Sequence, residues 1–278
     1  MKARMLAALL LAGSTMSAGA ASYDDLNAGI SYFNQEQYDS AIIWFDKAIN
    51  AGDLIPDQVR IAYLDRGAAY AAKGDLQKAI ADYTAAIAVK PEDINAYQLR
   101  VNAYLALNDL EKSLADYITL QKLRPKDFHI ENEIGYLNWE LGRYEDAGNA
   151  FRTFSTVNHN AWLWLQLVNL RLKRPMSASN DIGIAARVWP GPIALFFEGD
   201  LSESDVLETV KKFNSRYETC MAYFFTGMRR LVQGDTGGAI PLLTVAAANC
   251  GEDPSYGSGF ERITRIELAK ITPAGKSQ

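Results

Sequence analysis

The residues of this chain that could do chemistry are few, and their spacing argues against most chemistries. Neither His129 nor His159 lies in a His-Glu-x-x-His arrangement, the pattern that puts two imidazoles on one helix face around zinc. Cys220 and Cys250 lack both a Cys-x-x-Cys spacing and a neighbouring histidine to activate a thiolate. Two Cys and two His are all the chain has, so a zinc site closed by such side chains is not expected. No Gly-x-Ser-x-Gly elbow and no Gly-rich phosphate loop ending in Lys-Ser or Lys-Thr occurs, and Gly257-Ser258-Gly259 is a lone loop signal. Glu131, Glu133 and Glu140 could in principle pair as acid and base for glycosidic cleavage, but a solvated helix face is the plainer account of such a run. The reading is a protein that is not an enzyme and needs no cofactor or metal.

The elements behind these residues carry more information. With 278 residues, 49% hydrophobic and 22% charged, the composition is that of a folded globular chain rather than a disordered or multi-pass membrane one. Lys+Arg number 28 against 33 Asp+Glu, so the basic excess that condenses on phosphate backbones is missing and nucleic acid is not an expected partner. Lys2 and Arg4 precede the apolar run Met5–Ala12, and Ala18-Gly19-Ala20 offers a small-residue cleavage site. Residues 1–20 therefore read as a signal peptide, the apolar run being too short to span roughly 30 Å of hydrocarbon comfortably. No Cys follows that run, so acylation by the bacterial lipoprotein route is not expected. The expected product is periplasmic and unlipidated, without a transmembrane segment after cleavage, and more acidic by the loss of two positive charges.

Internal repetition dominates the rest. Gly67, Tyr70, Gly74-Asp75, Ala79, Tyr83, Ala86 and Pro91 form one series. Tyr97, Tyr104, Asn108-Asp109, Ser113, Tyr117, Leu120 and Pro125 form the next, with the prolines 34 residues apart. An upstream unit holds Gly29, Tyr32, Tyr38, Ala41, Phe45 and Ala48; a downstream one holds Gly135, Gly142, Ala147, Phe151 and Phe154. Gly52–Asp57 reads as a loop inserted between the first two units. These series resemble the tetratricopeptide repeat. In physical terms, small residues at 67 and 79 let two helices approach while Tyr70 and Tyr83 fill the space around the contact. Gly74-Asp75 and Gly142-Arg143 supply the turns, and Pro91 and Pro125 end the second helix of each pair. The fold class is all-α: a right-handed solenoid of helix-turn-helix repeats, which must stack because one pair cannot bury its own apolar face. Four repeats span residues 21–160, an irregular helical insert spans 161–216, a fifth repeat spans 217–250, and a capping helix with a tail spans 251–278.

In this register Cys220 opens the first helix of the last repeat and Cys250 lies near the end of its partner. Antiparallel packing brings those ends together, so a structural disulfide is expected where the compartment is oxidising. The first helix of each repeat lines the concave face mainly through its second, fifth, ninth and twelfth positions. The partner-binding candidates are then Tyr23, Leu26, Ile30 and Phe33 in the first repeat, Asn95, Gln98 and Asn102 in the third, and Asn132, Tyr136 and Trp139 in the fourth. A row of amides can pair with an extended peptide backbone without reading much sequence. Asn102 and Asn132 could instead bond between neighbouring repeats, Trp139 could be core, and Tyr136 with Trp139 could stack on sugar rings. Leu26, Ile30 and Asp65 stand where a clamp for a terminal carboxylate would need basic or amide residues, so that chaperone-type function is not expected.

The second half adds Trp162-Leu163-Trp164-Leu165, Val188-Trp189-Pro190-Gly191-Pro192, Phe196-Phe197-Glu198-Gly199-Asp200-Leu201-Ser202 and Glu218-Thr219-Cys220-Met221-Ala222-Tyr223-Phe224-Phe225-Thr226-Gly227. In order, these stretches resemble NlpI-type bacterial envelope proteins across nearly the whole mature chain. The resemblance implies a non-enzymatic adaptor that holds a processing protease and murein hydrolases at the cell envelope, commonly as a homodimer. The family's name-giving member is a lipoprotein; the acylation Cys is missing here. A glycan- or peptidoglycan-binding module is the alternative reading.

Overall fold

The computed structural model describes residues 21–176, 189–213, 215–250 and 259–272. The expected signal peptide, most of the loop expected over Pro175–Asn180, Gly257-Ser258 and the tail beyond Thr272 lie outside the described residues. Regular structure among the described residues is entirely helical, as the repeats require. The chain divides into two units, the first ending at Pro125 and the second beginning at Lys126.

Unit 1 contains α1 (residues 21–34), α2 (Tyr38–Ala51), α3 (Pro56–Ala72), α4 (Leu76–Val89), α5 (Ile94–Ala106) and α6 (Leu110–Leu123). Pro56 begins α3, a position where its missing N–H would have had no helical partner anyway. Asp93 and Asp109 cap α5 and α6 by accepting the Ala96 and Lys112 backbone N–H groups. A Cβ built on Gly29 would lie 2.6 Å from the Phe45 ring, and one on Gly67 would lie 2.7 Å from the Tyr83 ring. The absent side chain is thus what admits the facing aromatic. Where Val101 fills the equivalent place in the third repeat, Tyr117 is only partly buried.

A polar pattern repeats alongside. Arg66 forks onto Asp82 at 2.8 and 2.6 Å and reaches Asp46 on α2 at 2.6 Å. One repeat later, Arg100 forks onto Asp116 at 2.8 and 2.7 Å and reaches Thr84 on α4 at 2.8 Å. Each guanidinium therefore joins its own helix pair to the preceding one. Asp82 and Asp116 are both 5% exposed, so these pairs lie where losing one partner would strand a buried charge.

Unit 2 contains α7 (Phe128–Glu140), α8 (Tyr144–Phe154), α9 (His159–Arg171), α10 (Gly191–Glu198), α11 (Glu203–Val210), α12 (Arg216–Val232), α13 (Thr236–Asn249) and α14 (Gly259–Ile271). Its centre is Trp164, fully buried, with the rings of Tyr136, Phe224, Trp139, Phe151 and Phe260 at 5.1, 5.1, 5.5, 5.5 and 5.8 Å. Gly135 and Gly227 repeat the close approach, with built Cβ positions 2.5 Å from Phe151 and 2.9 Å from Leu243. Cys220 and Cys250 are bonded to each other, their Cα atoms 4.9 Å apart, so the disulfide ties α12 to the residue after α13.

The repeat geometry also runs further than the sequence register suggested. Glu36, Gly74, Asn108, Gly142, Lys173 and Gly234 all adopt positive φ after the first helix of a pair. The next residue's N–H then bonds back five residues: Gln37 to Tyr32, Asp75 to Tyr70, Asp109 to Tyr104, Arg143 to Asn138, Arg174 to Asn169 and Asp235 to Arg230. Helix α9 thus ends like the first helix of a further repeat, within the stretch expected to be irregular. The signal was hidden because Gln166, fully buried and donating to the Trp162 carbonyl at 3.2 Å, replaces the small residue at the helix contact.

Candidate protein-binding face

A helix face becomes a binding face only if nothing else of the chain covers it. On α5, Asn95, Gln98 and Asn102 recur at three- and four-residue intervals, so they share one face, and all three are exposed. None has a hydrogen-bond partner among the described residues, and Asn102 does not bond between repeats. Asn132 on α7 is half-buried and likewise without such a bond. Tyr23 is 46% exposed, while Ile30 and Phe33 are partly exposed beside the small core of Leu26, Ala41, Phe45 and Ala48.

Three expected binding residues are corrected by their burial. Leu26 is 2% exposed and belongs to that core, because its position on α1 turns toward α2 rather than outward. Tyr136 and Trp139 are 4% and 2% exposed. The reason lies more than a hundred residues downstream: α14 packs on α7, with Phe260 at 6.2 Å from the Tyr136 ring and a Cβ built on Gly259 only 2.2 Å from it. Trp139 is enclosed by Tyr144 and Trp164 at 5.1 and 5.5 Å. Neither ring is available to stack on a sugar.

The carboxylates considered as acid and base are also accounted for. Arg262 of α14 bonds Glu140 at 2.6 Å and approaches Glu133 at 3.4 Å. Burial raises the pKa of both, and Arg262 works in the opposite direction. They anchor a helix. Among the described residues no three His, Cys, Asp or Glu side chains are grouped to hold a metal ion, and no helix is long and apolar enough to cross a membrane.

One further residue on the inner side of unit 1 stands out. Asp65 on α3 is half-buried, and desolvation raises its pKa to about 6, with Arg60 acting against the rise. It has no hydrogen bond or ion pair among the described residues.

Comparison with known sequences agrees with the repeat geometry. Residues 20–92 and 99–154 match the tetratricopeptide repeat family. Those two segments are tetratricopeptide repeats. Among solved structures it is similar to a tetratricopeptide repeat protein from Parabacteroides merdae, at 19% identity and a TM-score of 0.53 over 91% of this chain and 99% of that one. That likeness concerns the fold. The first tetratricopeptide domain of Spaghetti (RPAP3), bound to the HSP90 peptide SRMEEVD, is 27% identical over 45% of this chain and 95% of that one, with a TM-score of 0.39. No curated protein matches. Tetratricopeptide repeats commonly mediate protein–protein interaction, and no enzyme family is matched.

Proposed function

We propose that the chain is a non-enzymatic adaptor of the bacterial envelope, exported by its amino-terminal segment, and that it binds an extended segment of a partner protein along the inner face of unit 1. The observation that carries this reading is the uncovered, unbonded row of Asn95, Gln98 and Asn102. Each side-chain amide offers a donor and an acceptor, so the row suits a peptide backbone whose sequence varies. The partners implied by the likeness to NlpI-type proteins are a processing protease and murein hydrolases, with the adaptor itself dimeric.

The glycan-binding alternative loses its stacking platform, since Tyr136 and Trp139 are core residues. A photo-crosslinking amino acid at Asn102, with one at exposed Ile43 as the control, tests the reading in cells. Envelope proteases or hydrolases enriched at position 102 over position 43 are expected. Equal yields at both sites would remove the proposal. Light scattering tests the dimer separately, and a monomeric mass would discard it.

A further inference from the structure

Unit 1 neutralises its buried aspartates systematically. Asp25, Asp82, Asp93 and Asp116 are each 8% exposed or less. Each bonds a cation: Lys47 at 2.7 Å, Arg66 at 2.6 Å, Arg60 at 2.7 Å and Arg100 at 2.7 Å. Two half-buried aspartates of unit 1 depart from this rule, Asp53 in the loop before α3 and Asp65 on α3; only Asp65 lies on the face of a first helix. Asp65 has no bonded cation, and Arg60, whose positive charge acts on it, is committed to Asp93 and, at 3.5 Å, to Asp57.

Its position makes the departure informative. Of the second, fifth, sixth, ninth and twelfth positions of α1, α3 and α5, Leu26 and Leu64 are buried; the others form the inner side of unit 1, and Asp65 is the one charged residue among them. The rest are apolar, aromatic or amide. A face so composed offers nothing to a carboxylate-terminated acidic segment. It offers one partly desolvated negative charge, on a helix in contact with α5, which carries the amides.

Building on the protein-binding reading above, we infer that unit 1 selects partner segments carrying a lysine or arginine, whose side chain pairs with Asp65 while the segment's backbone runs along Asn95, Gln98 and Asn102. Burial already holds the Asp65 carboxyl at about 6, so an incoming cation restores the charge compensation that the other buried aspartates receive within the fold. Lysine and arginine stems, apolar below their charged heads, also suit the apolar flank provided by Ile61 and Ala68.

A displayed library of random twelve-residue peptides, selected separately on the full chain and on Asp65→Asn, tests this. The substitution keeps the shape and removes the charge, and matching circular dichroism and urea midpoints no lower than wild type establish that it folds. Selection on wild type is expected to enrich lysine or arginine at one peptide position, and selection on the variant to lose that enrichment. For the best peptide, replacing that basic residue by methionine is expected to weaken wild-type binding roughly tenfold, as for a hydrogen bond between charged groups. The same replacement is expected to weaken binding to the variant less than about twofold. Binders without a basic position, or equal losses on both proteins, overturn the role of Asp65 and leave peptide binding intact. Failure to select any peptide overturns both.

Discussion

Replacing Arg262 with methionine tests whether α14 is held on α7 by a buried charge pair. The side chains of Glu140, Glu133 and Arg262 are 1%, 12% and 18% exposed, so removing the guanidinium leaves two carboxylates in a poorly solvated place. Breaking such a pair from one side costs about 3 to 5 kcal/mol, because the stranded charge dominates over the lost attraction. The sign of the pH dependence follows from protonation. Both folded-state pKa values are already raised by burial, and Arg262 opposes the rise. Without it they rise further, so the folded variant keeps its protons to higher pH than wild type does. The deficit should therefore be largest near neutrality and shrink as pH falls toward the ordinary glutamate range, about 4.3. Urea unfolding of both proteins at several pH values measures it, with hydrogen exchange of α14 amides reporting local release. An Arg262→Met protein as stable as wild type at pH 7, or a deficit that is constant with pH, would refute this account of the α14 anchor.

Three other expectations follow from the packing. Asp65→Asn should stabilise the protein at pH 7, since a rise from 3.8 to about 6 corresponds to about 3 kcal/mol, reduced to about half by solvent screening. Because this folded pKa is raised, the gain should shrink as pH falls from about 6 and be lost below about 4, and equal urea midpoints at pH 7 would count against it. Gly135→Ala forces its methyl into the Phe151 ring 2.5 Å away and should destabilise by about 1 to 3 kcal/mol, readable as a lowered thermal midpoint. Replacing both Cys220 and Cys250 with alanine should cost about 3 kcal/mol by releasing a loop of 30 residues, measured by urea unfolding under oxidising conditions.

Much of the fold is legible because the repeat writes local physics into fixed positions. Gly67 facing Tyr83, the turns at Gly74 and Gly142, and the Cys220–Cys250 pairing all depend on residues within one helix pair. The Arg66–Asp82 and Arg100–Asp116 pairs recur at the same two positions of successive repeats, but that they meet is visible only in the folded helix pairs. Helix α9 was harder, because Gln166 breaks the small-residue pattern while the turn after it keeps the repeat geometry.

The binding face divides along the same line. Periodicity placed Asn102 and Tyr136 at equivalent positions of neighbouring repeats, and that much belongs to the sequence. Whether such a position meets solvent depends on what returns to cover it. Phe260 and Arg262 arrive at α7 from the far end of the chain and turn Tyr136 into core, whereas Asn102 stays exposed. A helical period fixes the direction in which a side chain points, while burial depends on contacts remote in sequence. Only the tertiary structure could decide between an open groove and one filled by the protein's own last helix.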